Sequence, residues 1–113
     1  VASWDKCCSG KDSTYKMVVG RSKKITGPYL DRAGHDMAAG GGTLLLAGTP
    51  AWAGVGHNSV YTFDDQDYLV FHAYETADNG LQKLKIAAIQ WDKDLWPVVS
   101  AQSLTDYQSN LVK

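Results

Sequence analysis

The most constraining feature of this chain is a run of short β-type segments, separated by tight polar turns, across its second half. His57 to Phe63 reads as a strand, and Asp64-Asp65-Gln66-Asp67 as an acidic turn. Tyr68 to Tyr74 (YLVFHAY) reads as a strongly apolar strand covered on both faces, and the turn after it ends in Asn79-Gly80, a hairpin signal. Leu81 to Trp91 also fits a helical face through Leu81, Leu84, Ala88 and Trp91, but a hairpin turn before it and Trp91-Asp92-Lys93-Asp94 after it favour a strand. Trp96 to Ser100 reads as a short edge strand, because Pro97 removes a ladder donor. The last thirteen residues read as a polar tail.

The first half repeats the later part of that pattern. Val1 to Trp4 reads as a strand already under way, which suggests an incomplete domain, and Asp5 to Thr14 as a loop. Tyr15 to Ser22 is a strand, Ile25 to Asp31 a proline-bearing edge strand, Arg32 to Gly42 irregular, Thr43 to Leu46 a short strand and Ala47 to Gly56 a loop. Four strands in series with a glycine-rich entry and a proline-marked exit describe one β-propeller blade, and the quasi-repeat describes part of another. Two small meanders packed as a sandwich are the competing architecture. The division expected is 1–46 for the remainder of one blade with the inter-blade segment, and 47–113 for the next blade with the tail.

Composition excludes two partner classes. Eleven Lys and Arg balance twelve Asp and Glu, giving a formal net charge of −1, so the positive field that drives nucleic-acid binding is missing. The longest largely apolar run, Thr43 to Ala47, is far short of the roughly 20 residues of a membrane-spanning helix. Nor does the start of the chain resemble a signal peptide. Cys7 and Cys8 are the only cysteines, without zinc-type spacing. They either close a strained eight-membered ring or, as expected here, remain two free thiols in a turn.

Several words carry a more specific message. Asp5-Lys6-Cys7-Cys8-Ser9-Gly10, Asp12-Ser13-Thr14-Tyr15-Lys16, Val19-Gly20-Arg21-Ser22, Gly27-Pro28-Tyr29-Leu30-Asp31, Gly40-Gly41-Gly42-Thr43, Gly56-His57-Asn58-Ser59-Val60 and Tyr68 to Tyr74 occur in that order. Together, from Trp4 to about Pro97, they closely resemble endo-1,5-α-L-arabinanases of glycoside hydrolase family 43. The resemblance implies an all-β fold, the C-terminal part of a five-bladed β-propeller comprising part of blade 4 plus blade 5. It implies cleavage of α-1,5-linked arabinan with inversion, in an extracellular or periplasmic setting. The family's three catalytic carboxylates would all precede Val1, so no catalytic residue is expected in this chain. A complementary chain carrying propeller blades 1–4 would supply them and cover the flat apolar faces and the strand edge at Val1 to Trp4.

The carboxylates that are present point the same way. Inverting hydrolysis needs two carboxyl groups roughly 6.5–9.5 Å apart, one with a raised pKa. Asp5, Asp12, Asp64, Asp65, Asp67, Glu75 and Asp78 fall in polar turns, where such side chains usually satisfy backbone N–H groups.

His57 is the principal site candidate. Read from the residues alone it is a core histidine hydrogen-bonded to backbone. The resemblance instead implies a ligand to one calcium ion, coordinated largely by water, which would order water and lower nearby carboxylate pKa values. Cys7, Cys8, Ser13 and Trp52 are candidates for lining sugar subsites for arabinan or arabino-oligosaccharide, Trp52 by stacking its ring on a sugar. Trp4, Trp91 and Trp96 read as core. His72 reads as a hydrogen-bonded histidine in a strand, and His35 as solvated. A non-catalytic glycan-binding or assembly module is one competing function, and an exo-acting arabinosidase or xylosidase is another.

Overall fold

The computed structural model describes residues 1–104. Residues 105–113, most of the expected polar tail, lie outside the described residues.

Eight strands carry the fold. β1 (Ala2–Trp4), β2 (Lys16–Val19) and β3 (Thr43–Leu46) form one antiparallel sheet in that order. β4 (Trp52–Phe63), β5 (Gln66–Glu75) and β6 (Leu81–Ala88) form a second, and β7 (Gln90–Trp91) pairs with β8 (Pro97–Val98). The hairpins follow their turn chemistry. Asp64 and Asp65 are both left-handed, with φ of 53° and 62°, which suits a two-residue turn joining Phe63 to its partner Gln66. Asn79 and Gly80, also left-handed, lead into β6 after a 3-10 turn at Thr76–Asp78.

Alternation along β5 sets the core. Leu69, Phe71 and Ala73 are at most 2% exposed, and the facing residues Ala87 and Lys85 on β6 are buried with them. Met17 and Val19 of β2 join the same cluster with Leu45, Leu46 and Val55, so one core binds both larger sheets. Burying a side chain such as Phe71 stabilises the fold by about 1.5–3 kcal/mol. Lys85 is the exception in this apolar setting, at 1% exposed. Its ammonium lies 3.3 Å from the centroid of the Trp52 ring and donates to the Leu104 carbonyl at 2.9 Å, which anchors the 3-10 turn Ala101–Leu104. Burial pushes its pKa down, opposed by the charge of Glu75.

The structure differs from the sequence reading in five places. Ile25 to Asp31 forms no strand beyond isolated bridges at Leu30. Gly27 is left-handed and Pro28 has no N–H to give, so β3 takes the place beside β2 instead. The expected loop 47–56 is strand from Trp52 onward, because its glycines serve bulges rather than a turn. The long strand 81–91 breaks at Ile89, whose N–H turns to the Asp67 carbonyl. Trp91 is half exposed rather than core, its indole N–H donating to Asp67 at 2.9 Å. Finally, β5 is fully covered on one face only: Val70 and His72, on the other, are partly exposed.

Candidate functional site

The word Gly54-Val55-Gly56-His57 is explained by what packs on it. A Cβ on Gly54 would lie 2.5 Å from the Ser13 Cβ and 2.9 Å from the Tyr74 ring, and one on Gly56 would lie 2.3 Å from the Tyr15 ring. Glycine thus lets three side chains close down on the backbone of β4. The β4–β5 register shifts on both sides of Gly56, between Ala53 and Gly56 and between Gly56 and Ser59. Such bulges re-aim side chains. Here they leave His57 in a left-handed conformation (φ 55°), uncommon for a residue other than glycine, with its side chain exposed. The His57 N–H donates to Ser3 Oγ at 2.9 Å, and the Ser3 hydroxyl donates to Asn58 Oδ1 at 3.1 Å, so β1 holds this kink in place.

Beneath His57 lies His72. Their rings are near parallel, 27° apart with centroids at 5.8 Å. Tyr15 stacks on His72 at 6.3 Å and Tyr74 meets it edge-on at 5.3 Å. The buried His72 Nδ1 has no hydrogen-bond partner among the described residues. That corrects the expectation of a satisfied histidine: the apolar and aromatic neighbours that surround the ring offer no acceptor or donor at that atom. Burial first, and the adjacent His57 second, hold its pKa below the usual imidazole value. His57 and His72 open onto a cavity of about 430 Å³ together with Gln82 and Leu84.

The Cys7–Cys8 pair is bonded, not two free thiols. The turn brings this about: Asp5 and Cys8 are left-handed, and the N–H groups of Thr14 and Tyr15 both donate to the Lys6 carbonyl. The Cys8 N–H donates to the Tyr74 hydroxyl at 3.0 Å, tying the disulfide to the ring that meets His72. Cys8, Tyr74, Asn79 and Gln82 line a second cavity of about 670 Å³, so Gln82 is shared by both. The other two candidates are occupied by packing. Ser13 is buried and its Oγ accepts from the Ser9 N–H at 2.9 Å. Trp52 is also buried, with the Lys85 ammonium over its ring.

Sequence reasoning missed Tyr15, Tyr74 and Gln82, and misjudged His72. The alternation of β5 was the available signal: it sets Val70, His72 and Tyr74 on the face opposite Leu69, Phe71 and Ala73. His35 is exposed as expected, its Nδ1 3.8 Å from Asp31.

None of the perturbed carboxylates is tuned for acid duty. Asp31 is held below the usual carboxylate range by hydrogen bonds from the Gly42 and His35 N–H groups, and Asp67 by Thr62 and Trp91. Asp92 is held down by the Trp96 N–H and then Arg32. Glu75 and Asp78 both pair with Lys83, at 3.5 and 2.8 Å, and Asp5 pairs with Lys16 at 3.1 Å. Among the described residues no group of three or more His, Cys, Asp or Glu could cage a metal ion. Of the residues named from the sequence as metal candidates, His57 offers a single exposed imidazole beside the cavity it shares with His72.

Comparison with known proteins finds relatives of high sequence identity. The chain is 58% identical over 112 residues to an extracellular exo-α-(1→5)-L-arabinofuranosidase, ArbA, of Cellvibrio japonicus, covering 99% of this chain and 32% of the relative. It is 47% identical over 97 residues to extracellular endo-α-(1→5)-L-arabinanase 1 of Bacillus subtilis, covering 86% and 29%. Its fold superposes on the structure of the Cellvibrio cellulosa α-L-arabinanase complexed with arabinohexaose, with a TM-score of 0.90 and 59% identity over 93% of this chain and 33% of that one. The chain thus spans about a third of the length of these relatives. It is all-β, and its strands follow part of the five-bladed β-propeller that such arabinanases form. A family model described as glycosyl hydrolases family 43 matches residues 1–97, and the chain belongs to that family.

Proposed function

We propose that this chain is part of a secreted hydrolase of α-1,5-linked arabinan, acting with inversion, to which it contributes His57 and one wall of the sugar groove. The observation that carries this reading is His57 itself: exposed, left-handed between two bulges, pinned by Ser3 and stacked on a histidine with an unsatisfied ring nitrogen. Backbone strain of this kind persists where surrounding structure over-determines it, and it clusters at functional sites.

His57 would hold one calcium ion through a single imidazole nitrogen, with water completing the shell. Such an ion supplies fixed positive charge that lowers neighbouring carboxylate pKa values and orders water. The chain's own residues do the rest of its share. Ser3 and the bulges fix the ring's direction, while Tyr15 and His72 form the aromatic floor beneath it. The Cys7–Cys8 disulfide with Tyr74 and Gln82 offers a wall with apolar surface and hydrogen-bonding groups for a furanose ring. Ser13 and Trp52 would support that wall from behind rather than touch sugar. The general acid and base would come from a complementary part of the protein carrying the other blades. Exposed apolar residues on the second sheet support that reading: Tyr61, Phe63 and Leu84 are 64%, 65% and 63% exposed.

Exo action is the second reading, favoured by the 58% identity to an exo-acting relative against 47% for the endo-acting one. The test is hydrolysis of linear arabinan by the full-length protein with and without His57→Ala. The variant should lose about 10²-fold in kcat, in the range seen when one preorganised electrostatic group is removed. It should also lose calorimetric calcium binding, while product sizes separate exo from endo. Unaltered cleavage by His57→Ala would sink the proposal, as would glycan binding by the wild type without any cleavage.

A further inference from the structure

Arg21, Lys23, Lys24 and Arg32 line one cavity of about 560 Å³, away from the His57 cluster, between the 21–34 loop and the turn that carries Trp96. Four of the chain's eleven Lys and Arg thus gather at a single place in a chain of net charge −1. Two carboxylates offset part of this charge. Asp31, the one carboxylate lining the cavity, is buried, and its oxygens accept from the N–H groups of Ala33, His35 and Gly42. Arg32 pairs with Asp92. Arg21 gives its Nη1 to the Asp94 carbonyl at 2.8 Å, a contact that leaves its charge in place. Lys23 and Lys24 form no ion pair among the described residues.

The shape of this charge is as informative as its size. The Arg21 guanidinium lies 4.1 Å and the Arg32 guanidinium 5.3 Å from the centroid of the Trp96 ring. One buried indole thus positions two planar cations, both suited to carboxylates. Pro28 and Leu30 add apolar lining to the same cavity.

We propose that this cavity binds a carboxylate-bearing polysaccharide, a run of uronic acid residues, and so holds the protein on acidic glycan while another surface acts on neutral sugar. Cations beside an apolar wall in one cavity match sugars that each carry a carboxylate and a C–H face. A nucleic acid strand would call for open aromatic faces to stack its bases, and Trp96 is only 6% exposed. The preference for glycan over nucleic acid rests on the glycan-degrading reading above; the cavity and its charge do not.

The experiment is calorimetric titration of the full-length protein with hexagalacturonate, at about 20 mM and about 0.3 M salt, beside Lys23→Glu/Lys24→Glu. Salt-weakened binding is expected, and at least a tenfold loss of affinity in the double variant, with cleavage of neutral arabino-oligosaccharides unchanged. No binding at low salt, or equal binding by the double variant, overturns the proposal. Equal competition by inorganic phosphate or by a single-stranded oligonucleotide overturns it as well. Cleavage and uronate binding are measured separately, so the loss of one does not obscure the other.

Discussion

Two regions of this small chain treat their polar groups in opposite ways. Around Asp31 and Asp92 every carboxylate oxygen is used. Asp31 takes three backbone N–H groups, and Asp92 takes the N–H groups of Asp94 and Trp96 together with Arg32. Around His57 the chain instead accumulates costs. A histidine is left-handed, two adjacent cysteines are bonded to each other, and a buried imidazole nitrogen has no hydrogen-bond partner among the described residues. Satisfied networks stabilise a fold, whereas strain and unpaired polarity in a well-packed place mark where stability has been given up for function. The contrast can be broken by experiment, because substitutions in the two regions should fail differently.

The largest effect should come from Gly56→Ala. Its Cβ would meet the Tyr15 ring at 2.3 Å, a rigid side chain that cannot step aside without lifting from His72. Overpacking of this kind costs about 1–3 kcal/mol. If the full-length protein cleaves arabinan as proposed, that activity should fall by about 10²-fold, the loss that a misplacement of about 1 Å can cause. A variant with normal activity and a normal melting temperature would mean the two bulges are not holding His57. Next in size is opening of the Cys7–Cys8 bond, by reductant or by Cys7→Ser/Cys8→Ser. The Cys8 N–H to Tyr74 contact is then no longer held by a closed ring. KM for arabino-oligosaccharides should rise several-fold with kcat nearly unchanged, as expected when binding common to ground and transition state is lost. Equal KM for both forms would remove the disulfide from the sugar wall.

How much of this was legible in the sequence depends on the range of the interactions involved. Hairpins announce themselves locally: Asn79-Gly80 and the apolar run Tyr68 to Tyr74 give β5 and β6 directly, although the run read as covered on both faces. The glycine words resisted, because Gly54 and Gly56 look like loop residues until Ser13, Tyr15 and Tyr74 are seen against them, some 40 and 20 positions away. His57 stood out only through its resemblance to a family word, and the residues alone favoured a core histidine. The bonded cysteines depend on left-handed backbone at Asp5, which aspartate tolerates, and at Cys8, which cysteine does not advertise. Lys85 is the plainest case of long range deciding an outcome. A lysine in a strand reads as solvent-facing, yet here Trp52 and the Leu104 carbonyl receive its ammonium inside the core.

The smallest and most discriminating prediction concerns acid. The folded-state pKa values of Asp31 and Asp92 are depressed, by the Gly42 N–H first for Asp31 and by the Trp96 N–H first for Asp92. A carboxylate bound more tightly as its anion in the folded state adds stability above its unfolded pKa of about 4, and that stability is lost as pH falls through the lower folded value. The melting temperature should therefore be level at neutral pH and decline below about pH 4. Asp31→Asn should lower the neutral-pH plateau modestly and flatten the acid decline, because the amide keeps one carbonyl acceptor but no charge for the three N–H groups. Gly56→Ala should lower the whole curve and leave its acid slope alone. If both substitutions changed the slope alike, the two regions would be one cooperative electrostatic unit, and the division between a satisfied region and a strained one would not describe how this chain distributes its stability.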